Sequence, residues 1–281
     1  MKSKKKIFDL SIQNIADFNI SETYLLLCAT FFHDWGNVID RKGHNKTTTS
    51  FYNEIFTAQD VNTPELIALS SIVRAHTGTS LSGDKDTLKD VPVTDFIHNE
   101  KVRLQLIAAI LRFADELAEC PDRTNISYIR TTEMPEESLC HNLHALFIQN
   151  TIDACQERIA VTYRIGIIKK EEKYSVSYPG TDKYISLDTF LDFLNGRIHK
   201  ANMERRYTQY YMRKFALFQE MSISLVFIFM KDNNFSECRY TNEPIVLTDK
   251  ILLSDKPNKL PFDPTTITKA LAGVDHENHA Q

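Results

Sequence analysis

The chain has 281 residues, 42% hydrophobic and 25% charged, with a formal net charge of −4. That supplies enough apolar material for a large core, or a core plus a smaller unit, and excludes a mainly disordered chain and a uniformly basic coat for nucleic acid, while leaving room for a local phosphate-binding patch. Five cysteines, an odd number without CxxC spacing, exclude a disulfide framework and a zinc ribbon, and no apolar run approaches the ~20 residues of a membrane span.

In chain order, the basic start Met1 to Lys6 is not followed by a signal-peptide hydrophobic stretch, so a cytoplasmic protein with no membrane partner is expected. Leu10, Ile12, Ile15 and Phe18 give residues 9 to 20 a roughly helical period. Ser21 then opens a second helix, 22 to 35, apolar nearly all round and therefore expected at the centre of a bundle; Gly36 stops it. A polar turn around His44 leads to a short helix, 47 to 56, with Phe51, Ile55 and Phe56 inward. Pro64 suits the start of a helix that ends at His76, because its missing N–H costs nothing there. Residues 77 to 94, rich in Gly, Ser, Asp and Thr, read either as a mobile loop over a pocket or as an ordinary surface connection. Asn99 is placed as the cap of a helix from Glu100 to Ala118, which Pro121 ends.

Beyond this point the pattern changes. Residues 158 to 168 and 173 to 178 alternate in the manner of strands across the charged turn Lys169 to Glu172, predicting a hairpin. A charged, aromatic helix follows from Leu187 to about Phe215, then a strand from Met221 to Met230. From Leu260 the tail reads as poorly ordered.

The residues that carry chemistry sit in the first half. In Phe31-Phe32-His33-Asp34-Trp35-Gly36-Asn37, an imidazole and a carboxylate emerge together where an apolar helix ends. His44, His76 and Asp115, the last within Leu111-Arg112-Phe113-Ala114-Asp115-Glu116-Leu117, follow at wide spacings. Imidazole nitrogen and carboxylate oxygen together suit divalent ions such as Mn, Fe, Zn or Mg, and a carboxylate can bridge two of them.

This set resembles the HD superfamily of metal-dependent phosphohydrolases, an all-helical fold. The Leu-Arg-Phe-Ala-Asp-Glu-Leu context with Asp122-Arg123 is similar, more narrowly, to HD domains of prokaryotic conflict systems. The resemblance implies an HD-type helical bundle over residues 1–130, and the order strand, strand, helix, strand suggests a smaller C-terminal α+β appendage over 131–259 with a tail over 260–281, a mostly α fold in all. It implies one or two divalent ions (Mn, Mg, Fe, Co or Zn). His33, Asp34 and Asp115 would hold the first, with or without Asn14. His44, His76 and a bridging Asp34 would hold the second, and Asp34, His44 and His76 would be catalytic. One departure is that Asn14 stands where the superfamily usually places another imidazole, which weakens a soft-metal site most.

Lys46, Arg74, Arg112 and Arg123 are the candidate phosphate-binding cations, each close in sequence to a presumed ligand, against the alternative of solvated surface charge. The Arg- and Tyr-rich helix, 197 to 218, reads as a packing or subunit-contact surface, with stacking on nucleotide or single-stranded nucleic acid as the alternative. The function implied is hydrolysis of nucleotides, first deoxynucleoside triphosphates, within antiviral defence, by a homo-oligomer that takes a regulatory protein partner. The alternatives are a degenerate HD domain acting as a nucleotide-binding regulatory module, a cyclic or oligonucleotide phosphodiesterase, and a nuclease.

Overall fold

The structure, a computed structural model, describes residues 18–38, 48–55, 63–76, 79–80, 82–83, 85–153, 155–170, 173–249 and 262–279. Two compact units emerge: Met1–Ala118 with Glu204–Leu217, and Glu119–Met203 with Phe218–Gln281. The helix expected over residues 9 to 20 lies mostly outside the described residues, as do Asn14, His44 and Lys46.

The first unit is built on helices α1 (Ile20–Phe32), α2 (Thr48–Ile55), α3 (Thr63–Ala75) and α4 (Leu104–Leu117). Asn19, not Ser21, caps α1. Its side chain accepts from the Glu22 N–H and Glu22 answers on the Asn19 N–H, a reciprocal box that satisfies two otherwise orphaned donors. Leu25, Ala29 and Phe32 bury one stripe of α1 against α3 and α4, where Leu69, Ile72, Val73, Ile107, Ala108 and Leu111 are buried. The expectation that α1 is enclosed on all sides is corrected: Ile20, Leu27 and Phe31 are more than half exposed. Apolar composition therefore did not mean a central position.

The segment read as the start of the fourth helix is instead a hairpin, β1 (Asp95–Ile97) with β2 (Glu100–Val102). Its two-residue turn puts His98 and Asn99 at φ 50° and 65°. That left-handed geometry matches the strands' twist, and Asn tolerates it well, so Asn99 makes a turn rather than a cap. Residues 85–94 are held rather than loose. A 3-10 turn, Leu88–Asp90, buries Leu88, and Asp86 accepts from the hydroxyls of Tyr207 (2.7 Å) and Tyr211 (2.8 Å).

The second unit overturns the expected fold class. In place of a small appendage on a mostly α protein it carries a seven-stranded mixed sheet, so the chain is α+β. Two long strands, β4 (Arg158–Lys170) and β7 (Glu220–Lys231), run parallel at its centre. On its other side β4 pairs first with β3 (Ile148–Asp153) and then with β5 (Lys173–Ser177), to which β6 (Tyr184–Ser186) is added. β7 pairs likewise with β9 (Ile245–Thr248) and β8 (Asn234–Thr241). Gly166 sits where β4 changes partner, and a Cβ there would collide with the Ser177 carbonyl. The hairpin expected from 158–168 and 173–178 is present as the antiparallel pair β4 and β5. β3 and β8 carry few apolar residues and β9 is only four residues long, so none of the three has a strand pattern legible in the sequence.

A parallel pair needs a crossover, and it contains helix α7 (Leu187–Met212). Helices α5 (Ile126–Thr131) and α6 (Glu136–Phe147) precede the sheet. The tail is also corrected: Pro264–His279 forms helix α8. Proline occupies its first position, Asp263 Oδ2 accepts from the Thr266 N–H at 2.9 Å, and Asn195 grips the Phe262 backbone through bonds of 3.0 and 3.2 Å.

Candidate metal centre

The C-terminal end of α1 delivers His33 and Asp34, and the last turn of α4 delivers Asp115. His33 Nε2 lies 3.4 Å from Asp34 Oδ2 and 3.5 Å from Asp115 Oδ1. One ligand atom from each of the three falls within 4.8 Å of the others. Ligands bound at ~2.1 Å around one ion stand ~3.0 Å apart in cis-octahedral and ~3.4 Å apart in tetrahedral geometry, so these separations fit a single divalent cation.

The imidazole is prepared for that role. His33 Nδ1 is 2.8 Å from the Thr30 carbonyl, which can only accept. The proton is therefore held on Nδ1 and the Nε2 lone pair faces the two carboxylates, the backbone support that metal-bound histidines usually have. Burial by itself lowers the His33 pKa, but the hydrogen bond to Asp115, the Thr30 carbonyl, and the charges of Asp34 and Asp115 outweigh it and raise the pKa above the ordinary imidazole value. Without a cation the carboxylates draw a proton to Nε2, and an ion must displace it.

His76 follows the last residue of α3, beside this group. Its ring meets that of His33 edge-on at 5.3 Å between centroids, and its Nδ1 is 2.5 Å from the Val73 carbonyl. It thus repeats the His33 device, a carbonyl three residues back holding the Nδ1 proton. His76 is buried at 7% exposure, whereas Asp34 and Asp115 each keep about a third of their side chains open to solvent. Ligand and solvent can therefore reach the carboxylate side.

The expected cations fall in different places. Arg74 is exposed on α3. Arg112 is engaged within the unit: Nε and Nη2 form a two-pronged pair with Glu204 at 2.7 and 2.8 Å, and Nη1 donates to Thr87 Oγ1 at 2.7 Å. Arg123 belongs to the second unit, 4.0 Å from Glu119. Lys46 and His44, the remaining expected site residues, lie outside the described residues. Sequence reading missed the carbonyls of Thr30 and Val73, and also Thr87 and Glu204. The i−3 carbonyls have a readable signal, a histidine at a helix's last turn; Glu204, 92 residues from Arg112, has none. Among the described residues no helix is long and apolar enough to cross a membrane.

A His-Asp pair at the end of one helix, joined by an aspartate from a later helix of the same unit, defines an HD-type domain. The HD-CE family model matches residues 6–200, so the chain belongs to that family. Comparison with curated proteins and with solved structures gave no match.

Proposed function

We propose that the protein is a divalent-metal-dependent phosphohydrolase acting on nucleotides, deoxynucleoside triphosphates first among them. The observation that carries this is the convergence of His33 Nε2 with the Asp34 and Asp115 carboxylates at ligand-to-ligand separations. A bound divalent ion would acidify water and neutralise phosphoryl oxygens, the two obstacles to cleaving an anionic ester or anhydride. His33, Asp34 and Asp115 would hold the ion. His76, its Nδ1 facing the Val73 carbonyl, would join Asp34 and His44 at a second ion or act as a base toward water. Arg74 and Lys46, close in sequence to His76 and His44, would supply charge for the phosphates. Antiviral defence belongs to the same reading, through the sequence context of Asp115 and Arg123.

A second reading, a nucleotide-binding module without turnover, draws on a cleft of about 580 Å³ in the first unit that is lined by Lys101, Lys214, Gln105 and Phe215, among others, and by none of the metal-centre residues. The test is purified protein loaded with Mn, Mg or Co and offered a panel of nucleotides, with phosphate and triphosphate release measured. Release that Asp34→Ala abolishes supports the hydrolase. Metal bound without turnover of any nucleotide selects the binding module, and absence of any bound metal removes the hydrolase.

A further inference from the structure

We infer that Arg112, through Thr87 and the Ala75 carbonyl, positions His76 in the metal centre and is not a phosphate ligand. This rests on the metal-centre reading above.

Helix α3 ends at Ala75, and His76 is the next residue. The last carbonyls of a helix have no partner within it, so something else must satisfy them when they are buried. Ala75 is buried at 3% exposure, and its carbonyl receives two donors: Thr87 Oγ1 at 2.6 Å and Arg112 Nη1 at 3.3 Å. That carbonyl belongs to the peptide plane that also contains the His76 nitrogen. Fixing the plane fixes the point from which the His76 side chain departs. The ring is then turned by its bond to Val73 and by the edge of His33.

Arg112 is itself anchored. Its two-pronged pair with Glu204 leaves Nη1 as the arm that reaches Thr87 and Ala75, and the guanidinium stacks over the Tyr207 ring at 4.7 Å. Glu204 and Thr87 must therefore both be in place for the arm to be aimed. Arg112 stands three residues before Asp115, on nearly the same side of α4. One guanidinium thus ties the helix that carries Asp115 to the helix end that carries His76, and keeps the spacing between two contributors to the site. With its donors spent on Glu204, Thr87 and Ala75, it has little left for a phosphate.

The experiment uses the full chain reconstituted with Co²⁺, whose visible absorption reports the ligand set independently of turnover. Arg112→Met and Thr87→Val are each expected to shift the Co²⁺ spectrum and weaken Co²⁺ binding by about tenfold or more, the usual scale for losing support behind a ligand. Arg112→Lys, which cannot span Glu204 and Ala75 at once, should fall between them and the parent. The control is Arg103→Met, which breaks a comparable two-pronged pair with Glu22 at the other end of α1; it should lose thermal stability while keeping the spectrum and the affinity. If Arg112→Met does not fold, Thr87→Val decides. The inference is overturned if folded Arg112→Met or Thr87→Val binds Co²⁺ as the parent does, if Arg103→Met weakens binding equally, or if Arg112→Met raises only the KM for nucleotide. A parent protein that binds no Co²⁺ refutes the metal centre itself, which is a different result.

Discussion

Asp115→Asn separates binding from folding in one measurement. In the site Asp34 and Asp115 bring carboxylate oxygens within 4.8 Å of each other, with His33 between them. Two unit charges at that distance repel by ~0.9 kcal/mol in water and ~3.5 kcal/mol at an effective dielectric constant of 20. Because about a third of each side chain is exposed, the lower end applies, near ~1 kcal/mol. At a pH well above the raised His33 pKa, where the imidazole no longer carries the charge that pairs with these carboxylates, the repulsion is expressed until a cation arrives. The asparagine variant should therefore be as stable as the parent without metal, or more stable by about 1 kcal/mol. Metal reverses the order. An ion at a hundred times its Kd stabilises the parent by ~2.7 kcal/mol, which at ~2–4 °C per kcal/mol raises Tm by roughly 5–11 °C. The variant should lose most of that rise. Differential scanning fluorimetry with and without Mn²⁺ reads both quantities. A metal-dependent rise retained in full by Asp115→Asn, or a metal-free Tm that drops steeply, would refute the reasoning.

Other outcomes follow from buried charges elsewhere in the chain. Glu22, 2% exposed, holds the Arg103 backbone N–H at 2.9 Å and its guanidinium at 2.7 Å twice, so Glu22→Gln should cost about 2 kcal/mol in urea unfolding, less than a fully buried pair because Arg103 is partly solvated. Burial alone raises the Glu22 pKa, but Arg103 and Asn19 outweigh it and the net shift is downward; its contribution is thus complete above the ordinary carboxylate range and is lost as pH falls through the lowered value, and the variant should show a shallower acid limb. His144 is buried between Tyr163 and Phe193, and burial, helped by the charge of Arg197, pushes its pKa down to about 3. Stability of the second unit should be complete above ~6.5 and decline at up to ~1.4 kcal/mol per pH unit from there toward the folded value, with the slope removed in His144→Phe; an unchanged slope would show that His144 is not the group responsible.

The residues of the candidate metal centre were legible because chemistry leaves a local trace: a polar pair closing the apolar run Tyr24 to Phe32, and Asp115 set within an apolar helix. Which side chains meet was not, since His33 and Asp115 are far apart in the chain and only the packing of α1 on α4 joins them. The long strands β4 and β7 alternate over many residues and could be read. Strands as short as β9, Ile245–Thr248, depend on a neighbour for their existence and could not. Asn99 shows how one residue type serves two signals: the same side chain that caps helices also accepts the left-handed turn between β1 and β2. The pairing of Arg112 with Glu204, 92 residues away, lies beyond any local window and could not be read from the sequence.

The most direct measurement is an anomalous difference map from crystals soaked in Mn²⁺ and recorded near the manganese edge. A peak bonded to His33 Nε2 and to one oxygen each of Asp34 and Asp115, at about 2.0–2.3 Å, is the predicted result. Soaked crystals with no peak among these three side chains, or with manganese held only elsewhere in the chain, would contradict it.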